Sequence, residues 1–213
     1  MSKELQGARQ DYKQGELRKS TVLANPMDQF NAWFSVYQGL QIKDYNAMTL
    51  STVSDQGQPS ARIVLLKGLR PTGFEFFTNY NSHKGEDIAG NNKVSLLFFW
   101  KETEQQIRIE GLVEKLSKED SEAYFNVRPR ASKIGAWASN QSSVLENREE
   151  LELHEKALDK KWGDEIPKPD HWGGYLVKPQ QYEFWQGRSS RLHDRIRYQL
   201  LDNGTWEISR LAP

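Results

Sequence analysis

The 213-residue chain contains no cysteine. That excludes disulfides, thiolate nucleophiles, Fe–S clusters and Cys-ligated zinc, and it suits a reducing compartment. Net charge is also absent, because 29 basic residues balance 29 acidic ones. A broad basic face for nucleic acid or for an anionic membrane is therefore not expected. Positive charge has to act locally, on small anions. No apolar run approaches the roughly 18 residues of a membrane span. The first twenty residues lack the apolar stretch of a secretory signal. A cytoplasmic protein is expected. Nor is there a G-x-S-x-G elbow, a P-loop, a G-x-G-x-x-G turn or an H-x-x-x-H pair, and no metal site is expected.

Mean hydropathy is low, −0.80. Seven Trp, eight Tyr and nine Phe nevertheless supply enough buried area for a core. Residues 1–20 are polar and aperiodic and read as a flexible arm, with 21–213 as one α+β domain. Asn25-Pro26 opens a helix by capping and by proline at its first position. Phe30, Trp33, Phe34 and Tyr37 follow at helical spacing up to Gly39 and read as core. From Ala47 the period becomes two. Ala47–Val53, Pro59–Leu66, Phe74–Thr78, Val94–Trp100 and Gln105–Leu116 read as strands with short connections, hence antiparallel, and their number suggests a barrel. A short helix at about Lys84–Ala89 follows the cap candidate Ser82. Ser117 opens another that ends near Val127, and Glu146–Trp162 forms a charged third. Gly174–Val177, Gln181–Gln186, Arg191–Leu200 and Thr205–Leu211 complete the strands, the last pair joined at Asp202-Asn203-Gly204.

Several stretches could carry chemistry. Arg191, His193, Arg195 and Arg197 alternate, so one strand face would hold three guanidiniums and an imidazole. Such a face is either a solvated edge or a seat for an anion such as phosphate. Arg62 and Lys67 flank an apolar run at odd spacing, which suits two neighbouring anions better than one, or else two snorkelling strand ends. Asn81-Ser82-His83-Lys84 opens a helix whose free N–H groups and lysine could take a phosphate, or it is a plain cap. Tyr124 and Arg128 share a helical face and, with Ser132, could hold another. Gln106 and Gln141-Ser142 offer polar groups that could read a heterocycle edge. His154 and His171 lie in no motif and read as structural or solvent-facing.

Together these pieces resemble the pyridoxine (pyridoxamine) 5′-phosphate oxidase family. The likeness is carried by Arg-Ile-Val-Leu-Leu-Lys at 62–67, Phe-Phe-Thr-Asn at 76–79 and Ser-His-Lys at 82–84. It continues through Val-Ser-Leu-Leu-Phe at 94–98, Tyr-Phe-Asn-Val-Arg-Pro-Arg at 124–130, Ile-Gly-Ala-Trp at 134–137 and Gln-Ser-Ser at 141–143. Trp-Gly-Gly at 172–174, Phe-Trp-Gln-Gly at 184–187, Arg-Leu-His-Asp-Arg at 191–195 and Arg-Leu-Ala-Pro at 210–213 complete it, so it runs from about Arg9 to the last residue. The resemblance implies an antiparallel FMN-binding split β-barrel with flanking helices. It also implies a homodimer with active sites at the subunit interface. The activity it implies is oxidation of pyridoxine 5′-phosphate or pyridoxamine 5′-phosphate to pyridoxal 5′-phosphate by oxygen.

By likeness, Arg62 and Lys84 would hold the FMN phosphate. Val64, Leu65, Thr78, Gln106, Gln141, Ser142, Trp185 and Arg195 would surround the rest of the flavin, with Lys67, Phe77 and His83 in the same shell. Lys67, Tyr124, Arg128 and Ser132 would grip the substrate phosphate. Arg191 and His193 would lie over the substrate ring, Arg9 and Tyr12 would close over it from the arm, and Asp44 is a further active-site position. One departure stands out: His83 occupies a position where the family usually has Arg, which implies a weaker hold on the FMN phosphate. The competing classes are another flavin enzyme on this barrel, a non-catalytic pyridoxal phosphate carrier and a single-stranded nucleic-acid binder. The substrate-phosphate residues disfavour the first, the intact FMN residues the second, and zero net charge the third.

Overall fold

The computed structural model describes Gly7 and residues 11–213. These residues contain five α-helices and nine strands. Helix α1 (Pro26–Gly39) begins as the sequence dictates: the Asn25 side chain accepts from the Met27 N–H at 2.8 Å, and Pro26 occupies the first turn. Strands β1 (Ala47–Val53), β2 (Pro59–Leu65), β3 (Gly68–Arg70) and β4 (Gly73–Asn79) lead to α2 (His83–Gly90). Then come β5 (Lys93–Trp100), β6 (Gln105–Lys115), α3 (Lys118–Asn126), α4 (Arg130–Ala138) and α5 (Arg148–Lys161). The chain finishes with β7 (Trp172–Gln186), β8 (Asp194–Leu200) and β9 (Trp206–Leu211).

One sheet holds all nine strands in the order β2-β1-β5-β6-β7-β4-β3, with β8 beside β7 and β9 beside β8. The β3–β4, β4–β7, β7–β8 and β8–β9 pairs are antiparallel. The two strands expected at Gly174–Val177 and Gln181–Gln186 are one 15-residue strand, β7. Pro179 cannot donate to a ladder, which makes the sequence look broken there. The strand tolerates it because residues 172–177 pair with β4 and residues 181–186 pair with β8, leaving the proline between partners.

The last basic stretch also differs from expectation. Ser190 and Arg191 have φ of 56° and 61° in a short 3-10 turn, and β8 starts only at Asp194. Arg191 and His193 therefore do not continue the face of Arg195 and Arg197. Helix α4 and strand β3 have no counterpart in the sequence reading. Pro129 ends α3, but it also stands at the N-cap of α4. Helix α4 hides from periodicity because only Ile134 and Ala138 of its nine residues are buried, with Gly135 between them.

The chain divides into two compact units. The first comprises Met1–Leu50, Ser95–Gly111 and Pro179–Pro213. Its core is the aromatic set foreseen from α1: Phe30 packs on Phe98 with centroids 5.1 Å apart, Tyr37 stacks on Trp100 at 5.0 Å, and Phe184 meets Tyr198 edge-on. The second comprises Ser51–Val94 and Leu112–Lys178. Its helices pack around Phe125, Ile134, Ile166 and Trp172. Arg130 joins two of them, bonding the carbonyls of Asp159, Trp162 and Gly163 where α5 ends.

Gly85, in the first turn of α2, has no room for a side chain. A Cβ there would lie 2.0 Å from the Tyr80 carbonyl oxygen, which is backbone and cannot swing away. Gly85→Ala is expected to cost about 3 kcal/mol or more by overpacking. That corresponds to a thermal midpoint lower by roughly 6–12 °C, measurable by calorimetry.

Candidate active site

Two cation-lined cavities adjoin in the second unit. One, about 450 Å³, is walled by Val64 and Leu65 of β2, Phe77 and Thr78 of β4, and Trp172 of β7. Lys67, Lys84, Tyr124, Arg128, Ser132 and Gln141 supply its polar atoms. The second is lined by Arg62, His83, Lys84, Gln141 and Ser142, so Lys84 and Gln141 border both. Strand β2 stops at Leu65, and the Lys67 N–H is already bonded to Glu75 of the neighbouring strand. Arg62 thus faces one cavity and Lys67 the other.

Lys84 sits where α2 starts. Its ammonium donates to Thr78 Oγ1 at 3.1 Å, Ser82 Oγ at 3.1 Å and Gln141 Oε1 at 3.0 Å. These acceptors are neutral. Burial, and then the nearby Arg62 guanidinium, push the Lys84 pKa down to about 8. Ser82 does not cap α2 with its side chain; its hydroxyl donates to the Asn79 carbonyl at 2.6 Å instead. Arg62 is held from behind: Nη1 donates to Thr52 Oγ1 at 2.7 Å, and Nη2 lies 3.7 Å from Asp87, a buried carboxylate. His83 is more exposed and stands 3.6 Å from the same carboxylate. Asp87 was not singled out from sequence, although its i,i+4 relation to His83 was readable there.

Arg128 lies just beyond α3. Its guanidinium covers the Trp172 ring at 4.4 Å, while Nη1 is buried without a hydrogen-bond partner. Burial holds its pKa below the usual arginine value. A desolvated guanidinium nitrogen with no acceptor, beside a cavity that also presents Lys67, Tyr124 and Ser132, has the chemistry of an anion seat. Tyr124 stacks on Phe77 at 3.9 Å, and both rings lie nearly parallel to Trp172. Trp172, the platform under Arg128, was noted in sequence only as part of a motif. Its role as a cation–π partner has no one-dimensional signal.

In the first unit, Tyr12, Trp185 and His193 form an aromatic cluster. Tyr12 meets both others edge-on at 5.7 Å, and Trp185 and His193 are 4.6 Å apart. His193 Nδ1 accepts from the Arg188 N–H at 3.1 Å. The neutral ring therefore carries its proton on Nε2. Burial and Arg191 lower its pKa, against a smaller opposing effect of Asp194. Arg195 neighbours Trp185 in the ladder, but its fork is bound to the buried Glu183 through Nε at 2.8 Å and Nη2 at 3.0 Å. Arg197 donates to Ser209 Oγ. The face expected to need an external anion is thus partly neutralised from within. Gln106 is half-buried on β6, and Arg191 is exposed. Asp44 is exposed at a left-handed position, φ 54°. Arg9 lies outside the described residues. His171 Nε2–H donates to the Ala136 carbonyl at 3.0 Å, and His154 is exposed on α5. Among the described residues no cluster of His, Asp and Glu could hold a metal ion. None of the helices described is long and apolar enough to cross a membrane.

The antiparallel sheet with its flanking helices defines a split β-barrel protein, the class expected from the sequence. The profile described as pyridoxamine 5′-phosphate oxidase matches residues 39–160, and one described as the pyridoxine 5′-phosphate oxidase C-terminal dimerisation region matches residues 172–213. Curated relatives named pyridoxine/pyridoxamine 5′-phosphate oxidase include that of Bordetella petrii, 52% identical over 96% of this chain and 97% of its own. That of Salinibacter ruber is 50% identical over the full length of both chains. Among solved structures, PhzG from Burkholderia lata in complex with tetrahydrophenazine-1-carboxylic acid superposes with a TM-score of 0.87 at 29% identity, covering 92% of this chain and 98% of that one. An FMN-binding protein of Nostoc punctiforme shares the fold with a TM-score of 0.72 at 17% identity, covering 88% and 97%. The chain belongs to the pyridoxamine 5′-phosphate oxidase family and is an oxidoreductase.

Proposed function

We propose that this chain is an FMN-dependent oxidase that converts pyridoxine 5′-phosphate or pyridoxamine 5′-phosphate to pyridoxal 5′-phosphate, acting as a homodimer whose sites are completed at the subunit interface. Oxygen is the final acceptor and leaves as hydrogen peroxide; the amine substrate also takes up water and releases ammonia. The observation that carries this reading is the pair of adjoining cavities, one anchored by Arg62 and Lys84, the other holding the unpartnered nitrogen of Arg128. Two phosphorylated flat molecules, cofactor and substrate, need two such anchors side by side. The relatives' names and the dimerisation region support the same reading.

Bound FMN supplies an acceptor for the hydride equivalent from the substrate's C4′ carbon, which no side chain can take. The chain's own residues bind and orient. Arg62 and Lys84 hold the FMN phosphate, with Val64, Leu65, Phe77, Thr78, His83, Gln141 and Ser142 around the same cavities. Gln106, Trp185 and Arg195 complete the flavin contacts. Lys67, Tyr124, Arg128 and Ser132 hold the substrate phosphate and so fix the ring's register. His193, with Nδ1 already accepting, offers Nε2–H as a donor to a ring substituent. Arg191 places positive charge near the electron-rich ring, Tyr12 and Arg9 cover it, and Asp44 belongs to the same assembly.

The test is aerobic turnover of purified protein loaded with FMN. Pyridoxal 5′-phosphate and peroxide are expected to form in equal amounts. Unphosphorylated pyridoxine is expected to react with kcat/KM lower by roughly 10³-fold or more, because its binding forgoes the contacts to Lys67 and Arg128 and leaves the buried Arg128 Nη1 unpaired. Comparable rates with and without the phosphate would refute the assignment of the Arg128 cavity.

A further inference from the structure

We infer that Glu104 is a positioning residue for Tyr12, fastening the N-terminal segment so that this ring lies against Trp185 and His193. The role given to Tyr12 rests on the function proposed above; the fastening itself does not. One carboxylate oxygen of Glu104, Oε2, accepts from two consecutive backbone amides, Lys13 N–H at 2.7 Å and Gln14 N–H at 2.8 Å. These are the first two amides after Tyr12. Because the donors are backbone, the grip fixes the course of the chain whatever side chains follow. The rest of Glu104 is tied to the same place. Its carbonyl accepts from the Gly187 N–H at 2.8 Å and from the buried Gln186 side chain at 3.2 Å.

A second observation points the same way. Glu104 has φ 53° and ψ 40°, a left-handed conformation at the end of a 3-10 turn. Glutamate is an unfavourable choice there, where Gly or Asn would be relaxed. A strained position that keeps a long acidic side chain, with one carboxylate oxygen held by two backbone amides, marks a function for the carboxylate. The opposite wall agrees. A Cβ on Gly187 would come within 2.7 Å of Tyr12 Cγ and 3.1 Å of Glu104 Cβ, so the glycine packs closely against both the ring and the latch residue. Other bonds hold the segment elsewhere: Ser190 N–H donates to the Asp11 side chain at 3.3 Å, Arg188 donates to the Gly15 carbonyl and Leu17 N–H donates to Asp194, but none of them takes the backbone amides that directly follow Tyr12.

The test uses Glu104→Gly, which suits the left-handed backbone and removes the whole side chain with its carboxylate, and Glu104→Gln, which keeps the side chain and one acceptor oxygen without the charge. Limited trypsin cleavage after Lys13, mapped by mass spectrometry on the full chain, is expected to accelerate about tenfold or more in Glu104→Gly. It should accelerate less in Glu104→Gln. The KM for pyridoxine 5′-phosphate should rise about tenfold in Glu104→Gly with kcat within about a factor of two, FMN affinity unchanged and partial rescue in Glu104→Gln. Gly187→Ala, which pushes on Tyr12 from the other side, should raise KM in the same way. Unchanged cleavage after Lys13 would overturn the fastening. Faster cleavage with parental KM would overturn the positioning of Tyr12. If the parent protein turned over no pyridoxine 5′-phosphate, the functional reading would fall, and cleavage would still decide the fastening.

Discussion

Arg128→Met is expected to raise the KM for pyridoxine 5′-phosphate roughly 100-fold or more, to leave FMN bound and not to lower the stability of the apoprotein. The ligand effect follows from the guanidinium's unpartnered Nη1. A phosphate oxygen there would complete a charge-assisted bond worth about 1.5–3 kcal/mol, and the planar fork can make two. The stability effect follows from the same atom. In the free protein this nitrogen is buried with no acceptor, and the guanidinium rests against the Trp172 ring at 4.4 Å and the Phe125 ring at 5.6 Å. Methionine fills the space and removes the buried charge, a change that is neutral or stabilising for uncompensated ions. Arg128→Lys should recover only part of the affinity, since an ammonium cannot reproduce both the ring stacking and the fork. Steady-state kinetics and a thermal melt check both halves. A KM within threefold of the parent would contradict the anion seat.

FMN affinity is expected to fall about tenfold per pH unit above pH 8, and Lys84→Met should remove that dependence while weakening binding roughly 10- to 100-fold at neutral pH. Lys84 is half-buried among neutral acceptors beside Arg62, and its pKa is pushed down from 10.5 to about 8. On the assignment proposed above, the FMN phosphate would favour the charged form, so its binding would be coupled to a proton the empty protein loses above pH 8. Folding responds with the opposite sign. Between about 8 and 10.5 the unfolded chain still holds this proton while the folded one has released it, so the apoprotein gains stability as pH rises through that window. Lys84→Met should lack the gain. Fluorescence titration of FMN from pH 6.5 to 10 measures the first effect, and denaturant unfolding of the apoprotein measures the second. A Kd independent of pH would show that Lys84 does not meet the phosphate.

Much of this architecture was legible in one dimension because the aromatic stripe and the strand periods are strong local signals. Asn25-Pro26 and Phe30 to Tyr37 specify α1 almost residue by residue. The opposition of Arg62 and Lys67 came from spacing, although the cause differs: β2 ends before Lys67 rather than carrying it to the far face. What sequence could not supply were partners made in three dimensions. Glu183 neutralises Arg195 from twelve residues away, so a strand face that looked starved of anions is partly satisfied. The positive φ of Ser190 and Arg191 breaks an alternation that looked continuous, and no glycine marks the break. Helix α4 carries Ser132 to the cavity, yet what ties it down are Ile134 in the core around Trp172 and a guanidinium reaching the carbonyls at the end of α5. None of these leaves a periodic trace.

The central claim is that the chain moves hydride from a phosphorylated pyridine substrate to FMN. The most direct measurement is anaerobic mixing of FMN-loaded protein with pyridoxine 5′-phosphate while following the flavin's visible absorbance. The expected result is bleaching, with one pyridoxal 5′-phosphate formed per flavin and colour restored on admitting air. A flavin that stays yellow with saturating substrate bound would contradict the account.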